Sequence, residues 1–140
     1  PLHIILRFNL EQKIFNDEIK IKDIPELWND EYKRLFGKEV DQDTNGCLQD
    51  VHWYAGLFGY FPTYSLGALT AAQLAAQLRI DITNLDQQIE IGDFTELLKW
   101  LKLNVHSKAS LYSTDEILQQ VTNSKLNVKY FESYIKNRYL

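Results

Sequence analysis

Residues 63–80 read TYSLGALTAAQLAAQLRI, directly after Pro62. The stretch is mostly apolar, and its alanines, Ala68, Ala71, Ala72, Ala75 and Ala76, would let neighbouring backbones approach closely. It predicts a long helix, and its near-continuous apolar character predicts a buried, central one. It is not a membrane span. The longest apolar run, residues 57–76, is broken by Gly59, Pro62, Thr63, Tyr64, Ser65, Gly67 and Gln73, too many polar or helix-loosening positions for a hydrocarbon environment.

Working outward, every other segment that carries a pattern is also helical. Leu2, Ile5, Leu6, Leu10, Ile14 and Phe15 recur at three- and four-residue steps, with Arg7, Glu11, Gln12 and Lys13 on other faces, so an amphipathic helix runs to about Asn16. Asp23 then reads as an N-cap, Pro25 as a first-turn proline and Gly37 as the stop of a helix over 24–36 that buries Leu27, Trp28, Leu35 and Tyr32. Residues 38–46 are rich in turn formers and end in Asn-Gly, a surface loop. Beyond the long helix, four shorter ones are expected at 84–90, 94–105, 114–121 and 128–139, opened by Asn84, Asp93, Ser113 or Thr114, and Asn127. The fold class is therefore all-α, a compact bundle of six to eight helices with a long central helix after Pro62. With 140 residues and 45% hydrophobic content, the whole chain, 1–140, reads as one domain with a real core.

The totals exclude several functions. A net charge of −4, with 15 Lys and Arg spread along the chain, offers no basic stripe to a nucleic-acid backbone. Cys47 is the one cysteine, so no internal disulfide can form, and nothing reads as a signal peptide; a cytoplasmic location is the default. The six glycines form no phosphate-binding loop. The chain has no Met and starts at Pro1 with no capping residue in front of its first helix. This start fits either a cut into a longer helix or an initiator Met removed before proline.

Metal chemistry of the helical-hydrolase kind needs two His four residues apart with a Glu beside the first. His3, His52 and His106 are dozens of residues apart and none precedes a Glu, so no metal site is expected in this chain, and His3 and His106 are read as structural or partner-facing. Cys47 and His52 lie five apart, which leaves both a thiol–imidazole pair and a plain buried thiol open, the second favoured.

What remains is residues 46–64, Gly46-Cys47-Leu48-Gln49-Asp50-Val51-His52-Trp53-Tyr54-Ala55-Gly56-Leu57-Phe58-Gly59-Tyr60-Phe61-Pro62-Thr63-Tyr64. A pure core segment rarely sets Gln, Asp and His beside Trp. If the run lines a cleft, Gln49, His52 and the tyrosine hydroxyls can bond a carbonyl or carboxylate, and Asp50 can fix the tautomer of His52. The other reading, evenly weighted on the residues alone, is a helix entry capped by Asp50 with aromatic packing around it.

The eight residues 46–53 resemble the Gly-x-x-Gln-Asp-x-His-Trp signature of the thermostable (Taq-type) metallocarboxypeptidases, and the continuation 56–64 is similar to that family too. The likeness extends over the whole chain, from Pro1-Leu2-His3 to the helices around Trp100, His106 and Tyr112. It implies a largely helical, often dimeric metallopeptidase that removes C-terminal residues, using zinc held by a His-Glu-x-x-His motif and a further Glu. Those ligands fall upstream of Pro1 in the family pattern. The resemblance thus implies the C-terminal portion of such an enzyme, one wall of the cleft, inactive alone. It would be partnered by the upstream part of the same enzyme and by peptide substrate, with a homo-oligomer possible through uncovered aromatic residues. Carried over position by position, Gln49, Asp50, His52 and Trp53 fall on substrate contact, with Gln49 bonding to His52 and Asp50 orienting it. Tyr60 and Tyr64 join His52 as catalytic candidates, a phenol stabilising the oxyanion. The alternatives are a split-gene remnant and a helical interaction module without peptidase activity.

Overall fold

The computed structural model describes residues 1–140. It is all helical: α1 Leu2–Phe15, α2 Ile24–Phe36, α3 Pro62–Asp81, α4 Leu85–Glu90, α5 Thr95–Asn104, α6 Thr114–Thr122 and α7 Val128–Tyr139, with three short 3-10 turns between them. The chain forms two compact units, Pro1–Leu66 and Gly67–Leu140, the boundary falling inside α3. No helix is long and apolar enough to cross a membrane.

In the first unit α1 packs on α2 around Leu6, Leu10, Ile24, Trp28 and Cys47. Gly37 closes α2 in the left-handed conformation at φ 65°, its N–H bonded to Lys33 O, the geometry in which glycine alone avoids a Cβ clash. Asp23 does not cap α2. Its Oδ2 accepts from the Lys20 N–H at 3.1 Å, closing the 3-10 turn Ile21–Asp23 that leads into the helix. The loop over 38–46 ends inward rather than on the surface. Gly46 is buried, and a Cβ there would stand 2.9 Å from Val40 Cγ1 and 3.3 Å from the Trp28 indole, so glycine is required by close approach.

The second unit gathers Leu78, Leu85 and Trp100, with Leu74, Ile82, Leu97 and Val121 against them. Two of its start signals cap their helices, Ser113 and Glu116 as a reciprocal capping box on α6 and Asn127 Oδ1 accepting from Lys129 N–H at 3.0 Å at the head of α7, whereas Asn84 makes no side-chain cap bond on α4. The expected burial of α3 is not met. Only Gln73 and Leu78 are buried along it, while Leu66 and Ile80 are 49% and 70% exposed. An all-round apolar helix presents more surface than its neighbours here cover.

Candidate functional site

The site is built on α1 and on the segment between residues 46 and 64. That segment is a chain of turns up to Pro62, not a helix entry, and Gly56 and Gly59 sit at φ 73° and 72° where its direction reverses. An irregular segment must satisfy its polar groups some other way than by helix ladders. Here α1 does it. Glu11 Oε1 accepts from the Trp53 indole N–H at 2.6 Å and Oε2 from the Gly59 N–H at 2.9 Å, so one carboxylate holds two points of the segment six residues apart.

Arg7 does the same one turn earlier. Its side chain is fully buried, with the guanidinium carbon 4.6 Å, 4.5 Å and 4.8 Å from the ring centres of Trp28, Trp53 and Phe61. Nη2 is paired with Asp50 Oδ2 and Nε donates to His3 Nε2 at 3.1 Å. Burial pulls the Arg7 pKa down, and the carboxylates of Asp50 and Glu11 oppose that pull; a guanidinium stays charged under such a balance. His3 is held below the usual imidazole range, by its own burial first and by the Arg7 charge second. It is therefore neutral, as an acceptor of the Arg7 Nε–H must be, and carries its proton on Nδ1. Nδ1 lies 3.3 Å from the Gln49 amide nitrogen, and turning that amide over so that its oxygen accepts satisfies both partners.

Asp50 is the hinge of the arrangement. Its second oxygen, Oδ1, accepts from the His52 backbone N–H and faces His52 Nδ1, both at 3.1 Å. A carboxylate at Nδ1 fixes the proton there and leaves Nε2 as the acceptor of the neutral ring. Nε2 lies 2.9 Å from the Tyr64 hydroxyl. The ring is packed between Phe61, at 4.6 Å between centroids, and Tyr60, at 5.6 Å. A continuous line thus runs from the buried Arg7 through Asp50 and His52 to Tyr64, which is 47% exposed.

Of the residues singled out by sequence, Asp50, His52, Tyr60 and Tyr64 are brought together. Gln49 faces His3 instead of His52, and Trp53 turns its N–H to Glu11 and its face to Arg7, so both are supports of the segment rather than members of the His52 contact. Cys47 is buried, and burial raises its thiol pKa; a protonated thiol without a bond to His52 is not an activated nucleophile. Arg7 and Glu11, placed by periodicity on the solvent faces of α1, are the buried ones, while Leu2 and Ile5 are 42% and 43% exposed.

The profile of the carboxypeptidase Taq (M32) metallopeptidases matches residues 1–139. This chain belongs to that family. It is 40% identical to carboxypeptidase 1 of Bacillus subtilis and 39% identical to thermostable carboxypeptidase 1 of Pyrococcus furiosus, each match covering 99% of this chain. The M32 fold is shared in detail. The structure of Pyrococcus furiosus carboxypeptidase superposes with a TM-score of 0.94 at 39% identity, and Trypanosoma cruzi metallocarboxypeptidase 1 with 0.93 at 39%, again over 99% of the chain. The chain spans 28% of the length of the two curated relatives.

A metallopeptidase family implies a metal, and the side chains here do not fit one. No group of three or more His, Cys, Asp or Glu is arranged to hold an ion. The one place where imidazoles and a carboxylate converge, His3, Asp50 and His52, is already taken up by the Arg7 cation and by hydrogen bonds within the line.

Proposed function

We propose that this chain supplies one wall of the substrate cleft of a zinc-dependent carboxypeptidase, with His52 meeting the scissile carbonyl or the tetrahedral intermediate as a C-terminal residue is released. The observation that carries this reading is the polarised line Asp50–His52–Tyr64, held at one end by the buried Arg7 and open at the other. A carboxylate-oriented imidazole holds or gives a proton at one defined atom, here Nε2. In the neutral ring, Tyr64 donates its O–H to Nε2. When Nε2 takes up a proton from solvent it becomes the donor to the Tyr64 oxygen, and Tyr64, keeping its own proton, turns its O–H to an oxygen on which negative charge develops. Tyr60, against the same ring, borders the place where that oxygen would lie.

The metal, zinc or another divalent ion, would polarise the carbonyl and activate water. Its ligands would come from the part of the enzyme outside this chain, which is then this chain's first partner, a peptide being the second. On this reading the chain alone does not hydrolyse peptides. The test is His52→Ala in the protein that carries this chain. Loss of kcat of about 10²-fold or more is expected, with the bound metal retained, whereas unchanged turnover at full metal content would remove His52 from the reaction.

A further inference from the structure

We infer that Arg7 is the positioning residue of this site, clamping Asp50 so that the carboxylate takes Nδ1 of His52 and leaves Nε2 turned outward. The inference rests on His52 as the working group. Position 7 needs nothing that Leu6 or Leu10 could not give if packing were its only duty, and taking a cation wholly out of water is costly. The guanidinium is nevertheless fully buried among three aromatic rings at 4.5–4.8 Å, which fix its plane as well as its place. Its planar fork then reaches two partners in different directions, His3 through Nε and Asp50 through Nη2. A lysine, a single point charge on a flexible stem, cannot hold both at once.

The consequence is mechanical. Asp50 lies in a segment of turns, while Arg7 lies on a 14-residue helix, so the ion pair transfers the rigidity of α1 to the carboxylate that aims the imidazole. Arg7 faces His3, Glu11, Asp50 and Cys47; His52 faces Asp50, Tyr60 and Tyr64. Arg7 is thus the one fixed cation of the cluster, and its removal frees Asp50 to rotate away from Nδ1 of His52.

The experiment uses the protein that carries this chain, labelled with nitrogen-15 in histidine, as wild type, Arg7→Met, Arg7→Lys, Asp50→Asn and the double Arg7→Met/Asp50→Asn. Wild type is expected to show one His52 tautomer with the proton on Nδ1. In Arg7→Met that single tautomer is lost and kcat falls on the order of 10²-fold, as displacement of a reacting group by an ångström would cause, with KM held. Arg7→Lys, which keeps the charge but not the planar fork, recovers only part of the single tautomer and of kcat. The double variant is no slower than Asp50→Asn beyond about twofold, the margin of additive behaviour, because Arg7 acts through Asp50. A folded Arg7→Met protein with the wild-type tautomer and kcat overturns the inference, and so does a double variant whose losses multiply. If Arg7→Met does not fold, Arg7→Lys and the double variant, in which no charge is left unpaired, decide it. A tautomer shift in Arg7→Met together with full activity in His52→Ala would support the clamp while removing His52 from the reaction, so the two failures are distinguishable.

Discussion

The two units of the chain each bury polar groups, and they do so to opposite ends. In the second, Gln73 is fully buried on α3. Its amide nitrogen lies 2.8–3.1 Å from Thr122 Oγ1 and the carbonyls of Ser124 and Lys125, and its oxygen accepts from Asn127 N–H at 2.9 Å. Every bond ends on the last residue of α6 or in the turn from it to α7. In the first unit the line that begins on buried Arg7 ends at a half-exposed hydroxyl, while Glu11 braces Trp53 and Gly59 beside it. A network that closes on itself fixes a fold. One that opens to the surface in a single direction can present a proton there.

Removing the supports should therefore separate the two. Glu11→Ala is expected to have the largest effect on stability, about 3 kcal/mol, since it removes two charge-assisted bonds, to the part-buried Trp53 N–H and to the Gly59 N–H, and frees the 46–64 segment; chemical denaturation measures it, and activity should fall in parallel. Gln73→Ala strands the Asn127 N–H and removes a donor from the Ser124 and Lys125 carbonyls, costing about 1–3 kcal/mol by the same measurement, with kcat unchanged below the melting range. A fall in kcat there would break the contrast. The smallest effect belongs to His3. Its folded pKa lies below its unfolded value, so its contribution is complete above the unfolded pKa and fades as pH falls through the folded one. His3→Gln should flatten the acid limb of the stability profile, read as melting temperature against pH below about 6.5, and leave the neutral plateau nearly in place.

Much of this was legible from the residues. Pro25, Gly37, Ser113 and Asn127 punctuate the chain where α2, α6 and α7 start or stop, because caps are local chemistry. The signature residues Asp50 and His52 lie within two positions of each other, so their pairing is nearly dictated by chain geometry. Arg7 and Glu11 were missed because periodicity sorts side chains by polarity, and a charged residue is assigned to solvent unless its partners are known. Their partners are 42–48 residues away. One signal was available. His3, Arg7 and Glu11 are spaced by four and so share a face of α1, beside the buried Leu6 and Leu10, an arrangement an entirely solvated helix face does not need. Burial of α3 failed for the converse reason, since apolar sequence states a capacity for contact and not its presence.

The aromatic enclosure of Arg7 also makes the molecule its own optical instrument. Of the three tryptophans, Trp28 and Trp53 face the guanidinium, while Trp100 sits in the second unit with its indole N–H on Asp81 Oδ2 at 2.7 Å. Replacing Trp100 by Phe would leave all indole emission arising within a few ångströms of one buried cation. Any event that shifts Arg7 would then be read directly as a change in colour or quenching, without a label and without a substrate.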